Sequence, residues 1–78
     1  MKVSFKNELK NDVAEVVRNA GFEVKGFSTN GVVVGLSSRS VSIMEVAQVL
    51  ADEFDVADLY RSGADVLVRF DPEYTEVL

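Results

Sequence analysis

Apolar side chains near the start of the chain recur three and four residues apart, at Phe5, Leu9, Val13, Val16, Val17 and Ala20. That spacing lays a single stripe along an amphipathic helix. Ser4 stands where an N-cap is wanted, and Gly21 where a helix commonly ends in a left-handed residue. The period then changes from three-and-four to two. Val32, Val34 and Leu36 alternate with their neighbours, and so do Val66, Val68 and Phe70, which marks one buried face of a strand in each case. The runs FEVKGFS and VVVGL flank Asn30-Gly31, a strong hairpin signal because both residues tolerate positive φ. VADLYR and DVLVRF flank Ser62-Gly63 in the same way. Between the hairpins, Ile43, Val46, Ala47, Leu50 and Phe54 form a second helical stripe, with Ser42 and Glu45 spaced as a capping box.

The second half echoes the first. Asp12-Val-Ala-Glu-Val-Val17 aligns with Glu45-Val-Ala-Gln-Val-Leu50, and after a one-residue slip Phe22, Val24, Gly31 and Val34 meet Phe54, Val56, Gly63 and Val66. A repeat of this kind reads as a duplicated αββ unit. The expected fold is therefore α+β in the order αββαββ: a four-stranded, mainly antiparallel sheet with two helices on one face, related by a pseudo-twofold axis. One αββ unit alone would leave its apolar face wet. With 78 residues there is room for one domain, with halves at 1–38 and 39–72. Ser37-Ser38-Arg39-Ser40 links them, Asp71-Pro72 stops the last strand, and the acidic tail 73–78 is expected to be loosely held. Parity leaves one conflict: Asp58 shares Val56's face and would be buried unless a bulge intervenes. Gly26 and Gly35, inside strands, suggest a bulge or a close backbone approach.

Composition removes most chemistry. The chain has no His and no Cys, which takes away the usual general base, thiolate nucleophile and zinc ligands. None of its serines sits in a Gly-x-Ser-x-Gly elbow, and its glycines form neither a dinucleotide fingerprint nor a P-loop. Asp52, Asp55 and Asp58 are three residues apart, whereas a calcium loop needs alternating acids and a closing glutamate. No enzymatic activity, cofactor or metal is expected. No apolar run reaches bilayer length and no leader pattern is present, so a soluble, cytoplasmic protein without a membrane partner is expected.

Charge is where the sequence becomes specific. The net charge is −5, but residues 1–38 carry +1 and residues 39–78 carry −6. The run LADEFDVADLY places Asp52, Glu53, Asp55 and Asp58 within seven residues and without a cation. Asp52 and Glu53 fall at a helix C-terminus, where the dipole disfavours negative charge, so local stability does not account for them. An acidic half argues against direct nucleic-acid binding and for a basic protein surface. Phe22 and Phe54 belong to the core, while Tyr60 and Tyr74, each with a polar tip and acidic neighbours, are the aromatics suited to a protein contact. Asp52, Glu53, Asp55, Asp58, Tyr60, Asp65, Asp71 and Glu73 are accordingly the candidate partner-binding residues.

Carboxylates concentrated on a small surface can imitate the phosphate row of DNA. In size, acidity and element order the chain resembles the small phage-encoded anti-CRISPR inhibitors, specifically the compact αββαββ class directed at type I-C systems. The likeness runs over nearly the whole chain and includes no shared motif, so it transfers no binding residue. It implies a non-enzymatic inhibitor, acting in the bacterial host cell, that binds a subunit of the Cascade surveillance complex. Such an inhibitor would cover the basic surface that recognises the PAM and so block target-DNA binding. Strong DNA mimics are more acidic than −5, so shape and Tyr60 would share the work with charge. The rival expectation is a small self-associating structural or regulatory module. Val33 and Leu67 point away from the core face and could form a homodimer contact; the chain is expected to be a monomer or a homodimer.

Overall fold

The computed structural model describes residues 3–36 and 43–77. Its elements are β1 (Val3–Phe5), α1 (Asn7–Asn19), β2 (Glu23–Ser28), β3 (Gly31–Gly35), α2 (Ile43–Ala51), β4 (Val56–Ser62), β5 (Asp65–Phe70), a 3₁₀ turn (Pro72–Tyr74) and β6 (Thr75–Val77). The fold is α+β. Strands β2 to β5 form a four-stranded sheet in the order β2-β3-β5-β4, antiparallel at every junction, and β1 pairs with β6 in a separate two-stranded sheet. No helix among the described residues is long and apolar enough to cross a membrane.

The ladder explains which face is dry. One cross-strand row reads Phe27, Val32, Val68, Leu59, and another reads Val24, Val34, Val66, Arg61. Val32, Val34, Val66 and Val68 have no exposed surface, and Val13, Val17, Val46 and Leu50 from the two helices join them in one core cluster with Phe5 and Phe70. Each fully buried aliphatic side chain contributes roughly 1.5–3 kcal/mol, so this single cluster on one sheet face dominates the fold's stability. Val33 and Leu67 lie opposite each other on the other face, only half-buried, as their parity requires.

Both bulges fall where they resolve a conflict. The β2–β3 register shifts between Val24 and Gly26, leaving Lys25 as the extra residue. The β4–β5 register shifts between Val56 and Asp58. Ala57 thus flips the parity, and Asp58 turns outward while Val56 stays against the core.

Helix α1 ends as its glycine suggests. Gly21 has φ +91°, its N–H donates to the Arg18 carbonyl at 3.0 Å, and the Phe22 N–H donates to the Val17 carbonyl at 3.1 Å, the paired bonds of a Schellman motif. Its beginning differs from expectation. Ser4 is not an N-cap, because β1 draws residues 3–5 into a ladder with β6 and the helix starts only at Asn7. The cap comes from the far end of the chain: the Asn7 N–H donates to Glu76 Oε1 at 3.1 Å. This places a carboxylate at the positive end of α1. Phe5 is buried as expected, but from a strand rather than a helix, and Ala20 is exposed beyond the helix end. The second capping residue, Ser42, lies outside the described residues, as does the linker 37–40.

The hairpin turns shift by one residue. The first loop is Thr29-Asn30, with no positive φ, and Gly31 opens β3. Glycine is required at 31 for another reason: a Cβ there would run into the Val68 carbonyl and within 3.1 Å of the Arg69 Cα. The second loop is Gly63-Ala64, with Gly63 at φ +62°, as a type II′ turn wants. The tail, expected to be loose, is paired instead. Asp71-Pro72 does stop β5, after which the chain makes one 3₁₀ turn and returns as β6 along β1.

Candidate protein-binding surface

The acidic run opens where α2 runs out. Past Ala51 the Asp52 N–H donates to the Gln48 carbonyl at 3.2 Å, and the Phe54 N–H donates to the Leu50 carbonyl at 2.8 Å. These bonds wind the backbone tightly enough to drop the Phe54 ring against Phe70, 5.9 Å between centroids, and against Tyr74, 6.3 Å. With Phe54 facing inward, its neighbours Glu53 and Asp55 face water. The end of β5 comes alongside: the Asp71 N–H donates to the Asp55 carbonyl at 3.3 Å, and the Tyr74 hydroxyl accepts the Asp55 N–H at 2.9 Å. Tyr74 is therefore a scaffold, half-buried against Phe5, Phe54 and Phe70, rather than the free aromatic its sequence neighbours suggest.

This joint brings Asp55, Asp71 and Glu73 together, with a carboxylate oxygen of each within 4.8 Å of the others. Glu73 is held above the usual glutamate range. A hydrogen bond to the Asp55 carboxylate is the main cause, followed by desolvation and the negative charges of Asp55 and Asp71, with Lys6 pulling the other way. Oxygen ligands so spaced also suit a hard divalent cation. The sequence spacing of Asp52, Asp55 and Asp58 gave no hint of this trio, because two of its members come from beyond the end of the neighbouring strand β5.

Near the trio, α1 and the segment just past α2 leave a groove of about 350 Å³ lined by Asp12, Glu15, Val16, Asn19, Glu53 and Phe54. A second, of about 390 Å³, is lined by Ala20, Phe22, Glu45, Gln48, Val49 and Asp52. The acidic surface thus recruits Asp12 and Glu15 from the half of the chain with net positive charge. They were not among the expected site residues. A signal existed, since both fall on the polar side of the α1 stripe, but charge summed along the sequence hides helices that pack side by side.

Of the eight expected residues, Asp52, Glu53, Asp55, Asp71 and Glu73 belong to this end of the molecule. Three do not. Asp58 Oδ1 accepts the Arg69 Nε–H at 2.7 Å across the β4–β5 ladder, so its charge is locally cancelled. Asp65, at the opposite end of β5 from Asp71, is roughly 20 Å away along the strand. Tyr60 is 60% exposed opposite Leu67, on the sheet face away from the core. The chain matches no known protein family, curated protein or solved structure.

Proposed function

We propose that the protein is a non-enzymatic inhibitor of the anti-CRISPR class, which binds a basic surface of the Cascade surveillance complex and blocks PAM and target-DNA recognition by partial DNA mimicry. The supporting observation is the gathering of Asp12, Glu15, Glu53, Asp55, Asp71 and Glu73 around the joint of α1, α2 and the end of β5, with no ion pair to any of them among the described residues. Carboxylates gathered without ion-pair partners make a field that steers a basic partner. On this reading the protein works in the cytoplasm of the bacterial host, needs no cofactor, and makes no direct contact with nucleic acid.

The test is a gel shift of target DNA by a purified type I-C surveillance complex, with and without the protein. A parallel sample carries Glu53→Lys, Asp55→Lys and Glu73→Lys together, with folding checked by circular dichroism. Wild type should abolish the shift, and the folded triple variant should not. No inhibition by wild type would sink the proposal.

A second reading has its own observation. Val33, Leu67 and Tyr60 line one cross-strand row of the open sheet face, beside Gly26, which adds no side chain to the row. A self-associating module would pair through that row. A mass by light scattering equal to two chains, lost in Leu67→Asp, would favour it.

A further inference from the structure

The two grooves beside α2 repeat one chemistry. Each has an apolar floor, Val16 with Phe54 in the first and Phe22 with Val49 in the second. Each has an acidic rim, Asp12, Glu15 and Glu53 in the first and Glu45 and Asp52 in the second. The grooves adjoin, since Asn19 lines one and Ala20 the other, and Asp52 and Glu53 divide between them in the same way. None of the five carboxylates is engaged by an ion pair or side-chain hydrogen bond among the described residues. This holds although Arg18 lies on α1 itself, so among the described residues no cation closes the rims by an ion pair.

We infer that these grooves receive two arginine side chains of a partner protein, one in each. Charge complementarity selects a cation, and the floors select which cation. An arginine carries an apolar stem that covers Val16 or Val49, and a planar guanidinium that stacks on a phenylalanine ring while donating to carboxylates around it. A lysine ammonium is a compact, strongly hydrated charge and gains less from an aromatic floor. Nucleic acid is repelled by every rim residue. The inference deepens the proposed function and rests on its premise that the acidic end meets a basic protein. It narrows the contact from the whole acidic end to the two grooves along the helices, and it makes the recognised feature a pair of side chains rather than a diffuse positive field.

The test uses the whole chain, labelled with ¹⁵N, and blocked tetra-arginine and tetra-lysine peptides as probes. Titration with tetra-arginine should give saturable amide shifts concentrated at Val16, Asn19, Phe22, Val49 and Phe54, and tighter binding than tetra-lysine. Asp12→Asn with Glu15→Gln should weaken tetra-arginine roughly tenfold, as expected for losing two charge-assisted contacts. The charge-matched pair Glu8→Gln with Asp65→Asn should leave it nearly unchanged. Shifts spread over the surface, shifts centred on Asp55, Asp71 and Glu73, or equal affinity for the two peptides would each overturn the inference. So would shifts of the groove amides with protein concentration alone, which would assign the grooves to a second copy. The outcome separates from that of the gel shift. Inhibition of Cascade that survives Asp12→Asn with Glu15→Gln keeps the inhibitor and removes the grooves. Groove-localised arginine binding without Cascade inhibition does the reverse.

Discussion

Asp55 and Asp58 are three residues apart and both exposed, yet they sit in opposite electrostatic settings. Asp58 lies on the open sheet face in the row Ser28, Gly31, Arg69, Asp58, where Arg69 meets it at 2.7 Å. Farther along the same face Glu23 pairs with Lys25 at 3.6 Å. Asp55 instead meets Asp71 and Glu73. A sheet ladder sets each carboxylate opposite whatever its partner strand supplies, and for Asp58 it supplies Arg69, while Glu23 finds Lys25 on its own strand. The joint at the end of the sheet has no ladder, and rings rather than charges decide which strands meet there. The comparison teaches that a run of acids along a sequence is not yet a surface. Register cancels part of it, and tertiary packing recruits the rest from elsewhere.

The sheet side of this contrast breaks most readily at Gly31. Gly31→Ala would push a methyl group into the Val68 carbonyl and prise β3 from β5 next to Arg69. Overpacking of this kind costs about 2–3 kcal/mol, which a urea titration would show as a lower midpoint. The displaced Arg69 should also release Asp58, making the sheet face more acidic. A variant of wild-type stability would mean that β3 and β5 are farther apart at this row than described.

The end cluster answers to a smaller change. Tyr74→Phe keeps the ring contacts with Phe5, Phe54 and Phe70 but removes the oxygen that accepts the Asp55 N–H. The expected loss is about 1 kcal/mol, the net worth of one hydrogen bond. With Asp55 no longer held, its carboxylate should drift from Glu73, and the Glu73 titration followed by carbonyl NMR should move back toward the ordinary glutamate range. An unmoved titration would show that the trio is held by something other than the Tyr74 hydroxyl.

What could be read in advance follows the same division. The four long strands, the β4 bulge and the Gly21 helix end were legible because period, parity and glycine chemistry act over a few neighbouring residues, while at Gly26 a bulge was one of two readings and Gly35 carried the same two without a register shift. Asp58 even announced its bulge, through a parity that would otherwise have buried it. Strands β1 and β6 were illegible, since three-residue segments carry no period and their pairing joins Val3 to Val77 across the whole chain. That missed pairing is why Ser4 looked like a cap and Glu76 did not. Within the site, contiguous Asp52, Glu53 and Asp55 were legible. Asp12 and Glu15 were not, because only the packing of α1 beside α2 brings them to Glu53.

The smallest effect is the most diagnostic. Glu73 takes up its proton more readily in the folded chain than in the unfolded one. Between the ordinary glutamate value and the raised one, the folded state therefore binds more protons, and stability falls as pH rises through that interval. The deficit is fully present at neutral pH and disappears in acid, the reverse of a carboxylate held by a cation. Glu73→Gln removes the charge and with it the deficit. The variant should melt slightly above wild type at pH 7, and the difference should shrink toward zero by about pH 3, where Glu73 is protonated in both states. Melting curves of the two proteins across that range suffice, because every other titrating group is common to both and largely drops out of the difference. If Glu73→Gln melts below wild type at pH 7, the attraction of Lys6 outweighs the repulsion of Asp55 and Asp71, and this end of the molecule is balanced much as the sheet face is.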